Sequence, residues 1–469
     1  MPLSDNFAAR FETSLVRNVI YPLWTQRDHP AYRRYARSFN ASQYLSADEL
    51  HDLQLHLLRK QLLHAYRNVP FYRRRMERLS LTPVDIEALD DLRYLPPLTK
   101  KDIQDHKEEM LATNIPPRKR VENQTGGSTG SPLQFWVDKE RFDSRRASTD
   151  RHNAWANFYP GDWLAVLWGS TFDIGTDVRP KITWRERFLE RTLMLNTSLV
   201  TRDDLNAFVE VLRRYRPRFL KAYAQAADMF ARHCQESGIT DIRFEAIITS
   251  AEMLLPEARV RIEQTFGGRV FNRYGCREVS VIASECDQHT GMHVNADALL
   301  VEVEPMDGLA QNQGRVLVTD LYNRSMPLIR YEIGDVASWE RGAPCPCGRN
   351  FPRLSSVAGR ITDFLVLPDG SMVSGPSLAL LIGQTPEVRQ AQFVQFSPTE
   401  IELKVVPHLG YGEQTVSSLA HRLRPYLRDQ VRLRVVPVET IAAEASGKYR
   451  FIKREFTSTS PADSVPVLK

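Results

Sequence analysis

Along the first eighty residues, apolar positions recur at helical spacing. Leucines cluster at mostly three- and four-residue intervals between residues 47 and 69, as on the buried face of a helix. Ser46 followed by Glu49 is the pattern of a capping box at its start. Pro70 interrupts the segment, and Thr99 is placed to cap a later helix. The N-terminal part of the chain is therefore predicted to be helical.

From residue 133 to 275, short apolar runs alternate with amphipathic stretches. The runs LQFWVD, WLAVLWGS and FEAIITSAE have the pattern of strands, and segments such as LNAFVEVLRRYRP have helical periodicity. This alternation predicts parallel strands joined by crossover helices. Between residues 298 and 340, strands such as GRVLVTDL follow one another directly, which indicates a β-rich subdomain.

The end of the chain has a third pattern. Three segments with alternating polarity surround one amphipathic helix, typical of a small α+β domain: VRQAQFVQFS, EIELKVVP and VRLRVVPV, around GEQTVSSLAHRLRPYLRD. The predicted fold class is α/β. Residues 1–362 form a large N-terminal domain with parallel sheets and a β-rich subdomain. Residues 363–469 form a small, mobile α+β domain.

Composition places the chain among ordinary globular proteins. It has 469 residues, 42% hydrophobic and 25% charged, which is enough for more than one compact core. A net charge of +5 is mild for this length and does not indicate a nucleic-acid partner. Basic clusters at 33–37 and 73–78 are solvated helix faces or a docking site for an acidic partner.

No segment has the charge and hydropathy order of a signal peptide, and no apolar run approaches the about 20 residues of a membrane span. We therefore expect a cytoplasmic protein without a membrane span. The sequence leaves the oligomeric state open, with a homodimer as one option.

Five cysteines in a long intracellular chain argue against a disulfide framework. Cys286 and His293 lie seven residues apart, and Cys345 and Cys347 follow in the motif CPCG. Three thiolates and an imidazole suit a closed, structural tetrahedral zinc site. His289 is a rival for the imidazole, and reduced thiols without metal remain an alternative. The other two cysteines are predicted to be packing residues: Cys234 and Cys276.

The glycine-rich stretch QTGGSTGSPLQF at 124–135 has the composition of an anion-binding loop, because glycine lets backbone N–H groups approach a phosphate. It lacks the GK[ST] ending of a P-loop, and alone it could equally be a surface turn. Further stretches follow it in order: TSAEMLLP (249–256), FNRYGCREVS (271–280), MPLIRYEIGDVA (326–337), GRITDFLVLPDG (359–370) and ASGKYRF (445–451).

This series resembles the adenylate-forming superfamily, closest to the phenylacetate–coenzyme A ligase family and its capsular polysaccharide biosynthesis (CapK-like) branch. The motifs NVPFYRR, LPPLTKKDI, TGGSTGSPL, ECDQHTGMHVN, MPLIRYEIGD and CPCGR occur in that branch's order. The resemblance implies that a carboxylic acid reacts with ATP to give an acyl-adenylate and pyrophosphate. An acceptor then takes the acyl group. ATP, Mg²⁺, structural zinc and coenzyme A are the implied partners.

The resemblance also implies a role for each motif. The phosphate loop comprises Ser128, Thr129 and Gly130, with Thr129 also catalytic. Ser131 departs from the lysine common in the family. The adenine site comprises Ser250, Ala251, Glu252, Asn272, Arg273, Tyr274 and Gly275, with Tyr274 as the stacking ring. Asp335 would accept the ribose hydroxyls, and Arg360 would contact ribose or phosphate. Glu278 would hold Mg²⁺, and Lys448 would stabilise charge on the α-phosphate. Asp363 falls at the family's hinge.

The acyl pocket is predicted to include Trp168, Phe172 and Tyr223, although each is equally a candidate for the core. Coenzyme A is the leading acceptor. Transfer to an amine, a sugar or a carrier-protein thiol is the alternative. From another class, a non-catalytic nucleotide-binding scaffold stays open. A zinc hydrolase would need an open metal position, which a closed Cys₃His set does not offer.

Overall fold

The computed structural model describes residues 11–124, 133–168, 185–197, 200–309, 312–360, 364–369, 372–374, 378, 381–382, 385–427, 430–442 and 450–456. The described residues form two compact units. The first unit contains the described residues up to 305 and from 312 to 357, and the second contains those from 358 to 442, 450 to 456 and 306 to 309. The predicted domain boundary after residue 362 stays a prediction.

The helices lie mainly in the N-terminal third and between the central strands. In chain order they are α1 (Tyr21–Asp28), α2 (Tyr32–Ser42), α3 (Ala47–Asn68), α4 (Pro70–Arg78), α5 (Lys100–Asp105), α6 (Lys139–Trp155), α7 (Arg202–Tyr215), α8 (Ala224–Glu236), α9 (Pro256–Phe266) and α10 (Glu413–Leu427). Shorter π or 3₁₀ turns cover Val16–Ile20, Pro83–Asp85, Leu89–Tyr94, Pro117–Lys119 and Glu186–Glu190. Among the described residues, no helix has the length and apolar character needed to cross a bilayer.

The strands are distributed over the whole chain. They are β1 (Arg120–Gln124), β2 (Gln134–Asp138), β3 (Leu164–Trp168), β4 (Thr192–Asn196), β5 (Phe219–Tyr223), β6 (Ala246–Ser250), β7 (Arg269–Cys276), β8 (Ser280–Glu285), β9 (Met292–Val294), β10 (Leu299–Pro305), β11 (Gln313–Asp320), β12 (Tyr331–Trp339), β13 (Arg353–Arg360), β14 (Phe364–Val366), β15 (Met372–Ser374), β16 (Val388–Ser397), β17 (Glu400–Pro407), β18 (Arg432–Pro437) and β19 (Ile452–Arg454).

One large sheet carries eleven of these strands in the order β10-β11-β12-β13-β9-β8-β7-β6-β5-β3-β4. Five neighbouring strands, β4, β3, β5, β6 and β7, are parallel. Helices α7, α8 and α9 lie between β4, β5, β6 and β7 in sequence, as the alternating pattern predicts. Beyond β7, the pairings β7–β8, β8–β9, β9–β13, β10–β11 and β11–β12 are antiparallel. The predicted β-rich subdomain is thus continuous with the parallel sheet, because β7 pairs with both parts.

The predicted helix boundaries in the first unit follow from local chemistry. Ser46 and Glu49 form the expected capping box at α3, and Thr99 caps α5 through the N–H of Asp102. Gly267 ends α9 with a φ of +80°, a left-handed conformation that glycine adopts without a steric penalty.

Helix α6 is buried although it is rich in charged residues. Arg141 and Asp320 form an ion pair at 2.9 Å, and both side chains are almost fully buried. Arg151 pairs with Asp297 at 2.5 Å in the same way. Because unpaired buried charges are strongly destabilising, these pairs fix the helix against the sheet.

The second unit has a four-stranded sheet in the order β18-β17-β16-β19. Strands β16 and β17 are antiparallel, and the two outer strands pair in parallel. Leu419 and Leu423 of α10 are buried in one cluster with Phe393 and Leu403 of the sheet. This agrees with the α+β pattern predicted from the sequence.

Candidate nucleotide site and cysteine cluster

The carboxyl ends of the parallel strands bring several predicted residues to one edge of the sheet. Tyr223, the last residue of β5, is in register with Ser250, the last residue of β6. Thr249 is in register with Asn272 of β7. In open α/β sheets, ligands bind in the crevice outside these carboxyl ends. This edge is therefore the candidate nucleotide site.

The loop after β6 is held in an unusual backbone conformation. Ala251 has a φ of +69°, a region that residues with a Cβ rarely occupy and that concentrates at functional sites. The carboxylate of Glu252 accepts a hydrogen bond from the N–H of Gln225 at 3.0 Å, at the start of α8. The predicted adenine-contacting stretch is thereby anchored to the neighbouring strand–helix junction.

On β7, the neighbouring residues Asn272 and Arg273 form hydrogen bonds with different parts of the structure. The N–H of Asn272 donates to Glu285 at 2.8 Å. Arg273 is turned inward, where its guanidinium donates to Ser284 at 3.2 Å and to Asn153 at 2.9 Å. Burial lowers the pKa of Arg273 to about 10. These contacts connect β7 to β8 and α6, and the predicted contact of Arg273 with ATP stays a prediction.

Two predicted residues meet directly. The hydroxyl of Tyr274 donates to the carboxylate of Asp335 at 2.7 Å, which joins the candidate adenine ring partner to the candidate ribose acceptor. The next residue, Gly275, approaches the backbone so closely that a Cβ would lie 2.5 Å from the carbonyl oxygen of Ser280. Only glycine fits there, which explains its place in the motif.

Glu278 lies in the turn between β7 and β8, and its side chain is largely buried. The hydroxyl of Tyr331 donates to its Oε1 at 2.9 Å. Arg145 donates to the carbonyl oxygen of Arg277 at 3.3 Å and also to that of Glu278. Burial, followed by the charge of neighbouring Arg141, lowers the pKa of Arg145 to about 10.

Sequence reasoning did not single out Tyr331 or Arg145. Tyr331 does lie in the motif MPLIRYEIGDVA, four residues before Asp335. The thiol of Cys276, which the sequence predicts to be a packing residue, lies beside Glu278. Burial, followed by the Glu278 carboxylate, raises the pKa of Cys276.

The candidate acyl-pocket aromatics also meet. The rings of Trp168 and Tyr223 have centroids 4.3 Å apart, at the ends of the adjacent strands β3 and β5. Lys221 places its Nζ 5.1 Å from the Trp168 ring centroid, a cation–π distance. Trp168 and Tyr223 thus form an aromatic pair, and Tyr223 is in register with Ser250.

The remaining predicted site residues are not positioned by the described structure. Arg360 ends β13, and nothing is described of its side chain. The others lie outside the described residues: Ser128, Thr129, Gly130, Ser131, Phe172, Asp363 and Lys448.

A second cluster lies where β8 ends, on β9, and between β12 and β13. The ligand atoms of Cys286, His293, Cys345 and Cys347 all lie within 4.8 Å of one another. The sulfurs of Cys286 and Cys345 are 3.6 Å apart, and Cys347 Sγ is 3.3 Å from His293 Nε2. This is the Cys₃His set expected from the sequence, and its donors suit tetrahedral zinc.

The orientation of His293 fits a metal ligand. Its Nδ1 lies 3.1 Å from the carbonyl oxygen of Phe351. A proton on Nδ1 leaves Nε2 as the lone-pair donor toward the thiols. Burial lowers the pKa of His293 to about 4, which keeps the ring neutral. The rival His289 instead places Nδ1 3.2 Å from Glu285 and lies outside the four-residue group.

Comparison with known proteins identifies relatives along most of the chain. Residues 365–455 match the family profile described as the CapK C-terminal domain. Phenylacetate-coenzyme A ligase of Thermus thermophilus is 26% identical over 376 residues, covering 77% of this chain and 82% of that protein. Protein CapK of Staphylococcus aureus is 23% identical over 408 residues, covering 86% and 89%.

Solved structures show the same architecture. The crystal structure of 2-hydroxyisobutyryl-CoA ligase in the postadenylation state with R3-HIB-AMP superposes with a TM-score of 0.71 at 21% identity, covering 88% of this chain and 91% of that one. The fold is therefore that of the adenylate-forming ligases. The chain is a homologue of phenylacetate–coenzyme A ligases and of Protein CapK, with a CapK C-terminal domain. The resemblance predicted from the motifs is confirmed.

Proposed function

We propose that the protein is an acid–thiol ligase that activates a carboxylic acid with ATP and transfers the acyl group to coenzyme A. The observation that carries the proposal is the pairing of predicted nucleotide residues at one sheet edge. Tyr274 contacts Asp335, and Tyr331, on the same strand as Asp335, contacts Glu278. Relatives named as coenzyme A ligases, and a solved ligase complex with 2-HIB-AMP and CoA, support the same chemistry.

In the first half-reaction, a carboxylate oxygen of the acid attacks the α-phosphorus of ATP. The bond from that phosphorus to the bridging oxygen breaks, and pyrophosphate leaves. Tyr274 is proposed to stack on the adenine while Asp335 accepts hydrogen bonds from the ribose hydroxyls. Lys448 is proposed to stabilise the charge that develops on the α-phosphate.

Mg²⁺ is proposed to be held by Glu278, because a hard cation prefers carboxylate oxygen. When bound, it supplies charge neutralisation at the phosphate oxygens. In the second half-reaction, the thiol sulfur of coenzyme A attacks the acyl carbon. AMP then leaves, and the thiol proton passes to solvent.

Zinc is proposed to occupy the cluster of Cys286, His293, Cys345 and Cys347. Four protein donors complete a tetrahedron and leave no open position, so the site would be structural. It would join the β8–β9 connection to the loop between β12 and β13. Glu278 lies in the turn before β8 and Asp335 lies on β12, so the metal would stabilise the strands next to both residues.

A second candidate has the same first step and a different acceptor. The match to Protein CapK covers 86% of the chain, whereas the match to phenylacetate-coenzyme A ligase of Escherichia coli covers 69%. The end of the chain also matches the CapK C-terminal domain. In this alternative, the acceptor is proposed to be an amine, a sugar or a carrier protein, and the setting is polysaccharide or secondary-metabolite biosynthesis. The C-terminal domain would complete this second half-reaction.

Acid-dependent release of pyrophosphate tests the proposal. A panel of aryl, fatty and amino acids is supplied with ATP and Mg²⁺, with and without coenzyme A. We expect turnover that requires one acid and coenzyme A, and that falls by about 100- to 1000-fold in Lys448→Ala, the range for losing one preorganised charge-stabilising group.

Release that ignores coenzyme A would favour the second candidate. Binding of ATP without pyrophosphate release for any acid would count against both candidates and favour a nucleotide-binding scaffold.

A further inference from the structure

We infer that Tyr331 is a positioning residue for Glu278, and that its hydroxyl group sets the affinity of the nucleotide site for its divalent cation. The inference rests on the proposed function, in which Glu278 is the ligand of that cation. Both side chains are buried, Tyr331 with 3% and Glu278 with 8% of its surface exposed. Their hydrogen bond, at 2.9 Å, is therefore shielded from competing water.

This contact has a reciprocal partner. Tyr331 begins β12 and donates to Glu278, just after β7, while Tyr274 of β7 donates to Asp335 of β12. Strands β8, β9 and β13 separate β7 from β12 in the sheet order. In a flat sheet, four strand spacings would hold them about 19 Å apart, so the sheet must curl to bring them together. Two tyrosine–carboxylate bonds join the strands across this curl.

A tyrosine donor suits a cation ligand for an electrostatic reason. An ionised carboxylate is acceptor-only and offers about four lone-pair sites. A neutral hydroxyl occupies one site on Oε1 and leaves the negative charge of Glu278 for the cation. A cationic donor in the same place would compete with the metal. The nearby cation Arg145 instead donates to backbone carbonyl oxygens of the turn, which fixes the turn.

The backbone of Tyr331 is held independently of its hydroxyl. Tyr331 forms a parallel bridge with Leu98, and the N–H of Glu332 donates to the carbonyl oxygen of Leu98 at 2.9 Å. Tyr331→Phe should therefore preserve β12 while freeing the carboxylate of Glu278 to rotate. Outer-shell partners of metal ligands typically change metal affinity or activity by about 10- to 100-fold.

The test measures the binding of Mn²⁺, as a spectroscopic substitute for Mg²⁺, to the full chain in the presence of saturating ATP. Electron paramagnetic resonance needs no turnover, and an identical titration of ATP without protein is subtracted because ATP in solution also binds Mn²⁺. We expect the Mn²⁺ concentration at half-saturation to rise by about 10-fold or more in Tyr331→Phe. Binding of ATP without metal should be unchanged.

Tyr72→Phe is the matched control. Tyr72 is also buried, and its hydroxyl donates to Pro327 at 2.9 Å and accepts from the N–H of Ile329 at 3.1 Å. This variant loses a buried hydroxyl of α4 that contacts the segment leading into β12. It should lose stability and keep the wild-type Mn²⁺ half-saturation.

An unchanged half-saturation in Tyr331→Phe, or an equal rise in both variants, would overturn the inference. Absence of Mn²⁺ binding to the wild-type protein with ATP would overturn it as well. If the wild type binds Mn²⁺ with ATP but releases no pyrophosphate with any acid, the proposed ligase activity fails, and the two variants still decide the role of Tyr331.

Discussion

The cysteine cluster and the candidate nucleotide site differ in how completely protein groups would surround a ligand. In the cluster, four donor atoms converge within 4.8 Å, and the set is chemically complete. At the nucleotide edge, Glu278 and Asp335 each contact a tyrosine hydroxyl, and their proposed ligand must enter and leave. A closed set of soft donors suits a permanent structural ion. Carboxylates held by neutral donors suit a substrate that turns over, because their charge remains available.

The largest effect should come from the carboxylate itself. Glu278→Gln keeps the shape and an acceptor for Tyr331 but removes the negative charge that is proposed to hold the cation. We expect pyrophosphate release to fall by about 100- to 1000-fold, as for loss of one preorganised electrostatic group. Glu210→Gln, at an exposed carboxylate on α7, is the control and should leave the rate unchanged. Equal rates in wild type and Glu278→Gln would remove Glu278 from the site.

At the cysteine cluster, in contrast, we expect a change in stability and not in rate. Wild-type protein should contain one zinc ion per chain, and Cys347→Ser should lose it. If free zinc is about 100-fold above its Kd, chelation should lower the free energy of unfolding by about 3 kcal/mol. Metal analysis and urea denaturation measure both quantities.

Cys234→Ala separates metal loss from packing loss. Cys234 is a buried thiol outside the cluster, so this variant should lose stability and retain zinc. Zinc retained in Cys347→Ser, or absent from wild type purified with zinc, would contradict the assignment.

A moderate effect is expected at Asp335, the proposed ribose acceptor. Asp335→Asn replaces a charged acceptor, and hydrogen bonds to charged groups contribute about 1.5 to 3 kcal/mol. The KM for ATP should therefore rise by about 10- to 100-fold with a smaller change in kcat. In wild type, 2′-deoxy-ATP should bind less well than ATP. In the variant the two nucleotides should differ less, since coupled changes are not additive. Purely additive losses would place the ribose elsewhere.

The smallest effect concerns the buried helix α6, which contacts the Glu278 turn through Arg145 and His293 through Trp155. His152 is almost fully buried, and burial, followed by the charge of Arg151, lowers its pKa well below 6.5. Arg273 is a further cationic neighbour. Below pH 6.5 the unfolded chain gains a proton that the folded chain does not, so stability falls as the pH decreases.

His152 should lower the free energy of unfolding by up to about 1.4 kcal/mol for each pH unit below 6.5. His152→Gln should show a shallower loss of stability between pH 7 and pH 5 in urea denaturation. An identical pH dependence in wild type and variant would show that His152 does not titrate differently on folding.

The parts of the fold that depend on local chemistry could be predicted from the sequence. The capping box at Ser46 and the alternation of strands and helices follow from short-range patterns. The cysteine cluster could be predicted because thiol and imidazole chemistry restricts the partners. The sequence could not decide between His293 and His289 as the fourth ligand, because both follow Cys286 at spacings compatible with metal binding. The structure places His293 in the group.

Tertiary contacts account for what the sequence did not indicate. Helix α6 is recognisable as a helix, but its charged residues are typical of a solvent-exposed face, and only partners such as Asp320 explain their burial. The inward orientation of Arg273 depends on Ser284 and Asn153. Tyr331 meets Glu278 because the sheet curls between β7 and β12, a long-range feature with no short-range signature.

The most direct test of the central claim is to identify the products of a quenched reaction by mass spectrometry. The protein is incubated with ATP, Mg²⁺ and an active acid, first without and then with coenzyme A. The account predicts an acyl-adenylate and pyrophosphate in the first sample, and an acyl-coenzyme A with an equal amount of AMP in the second. Formation of ADP and phosphate from the same acid would contradict an adenylate-forming mechanism.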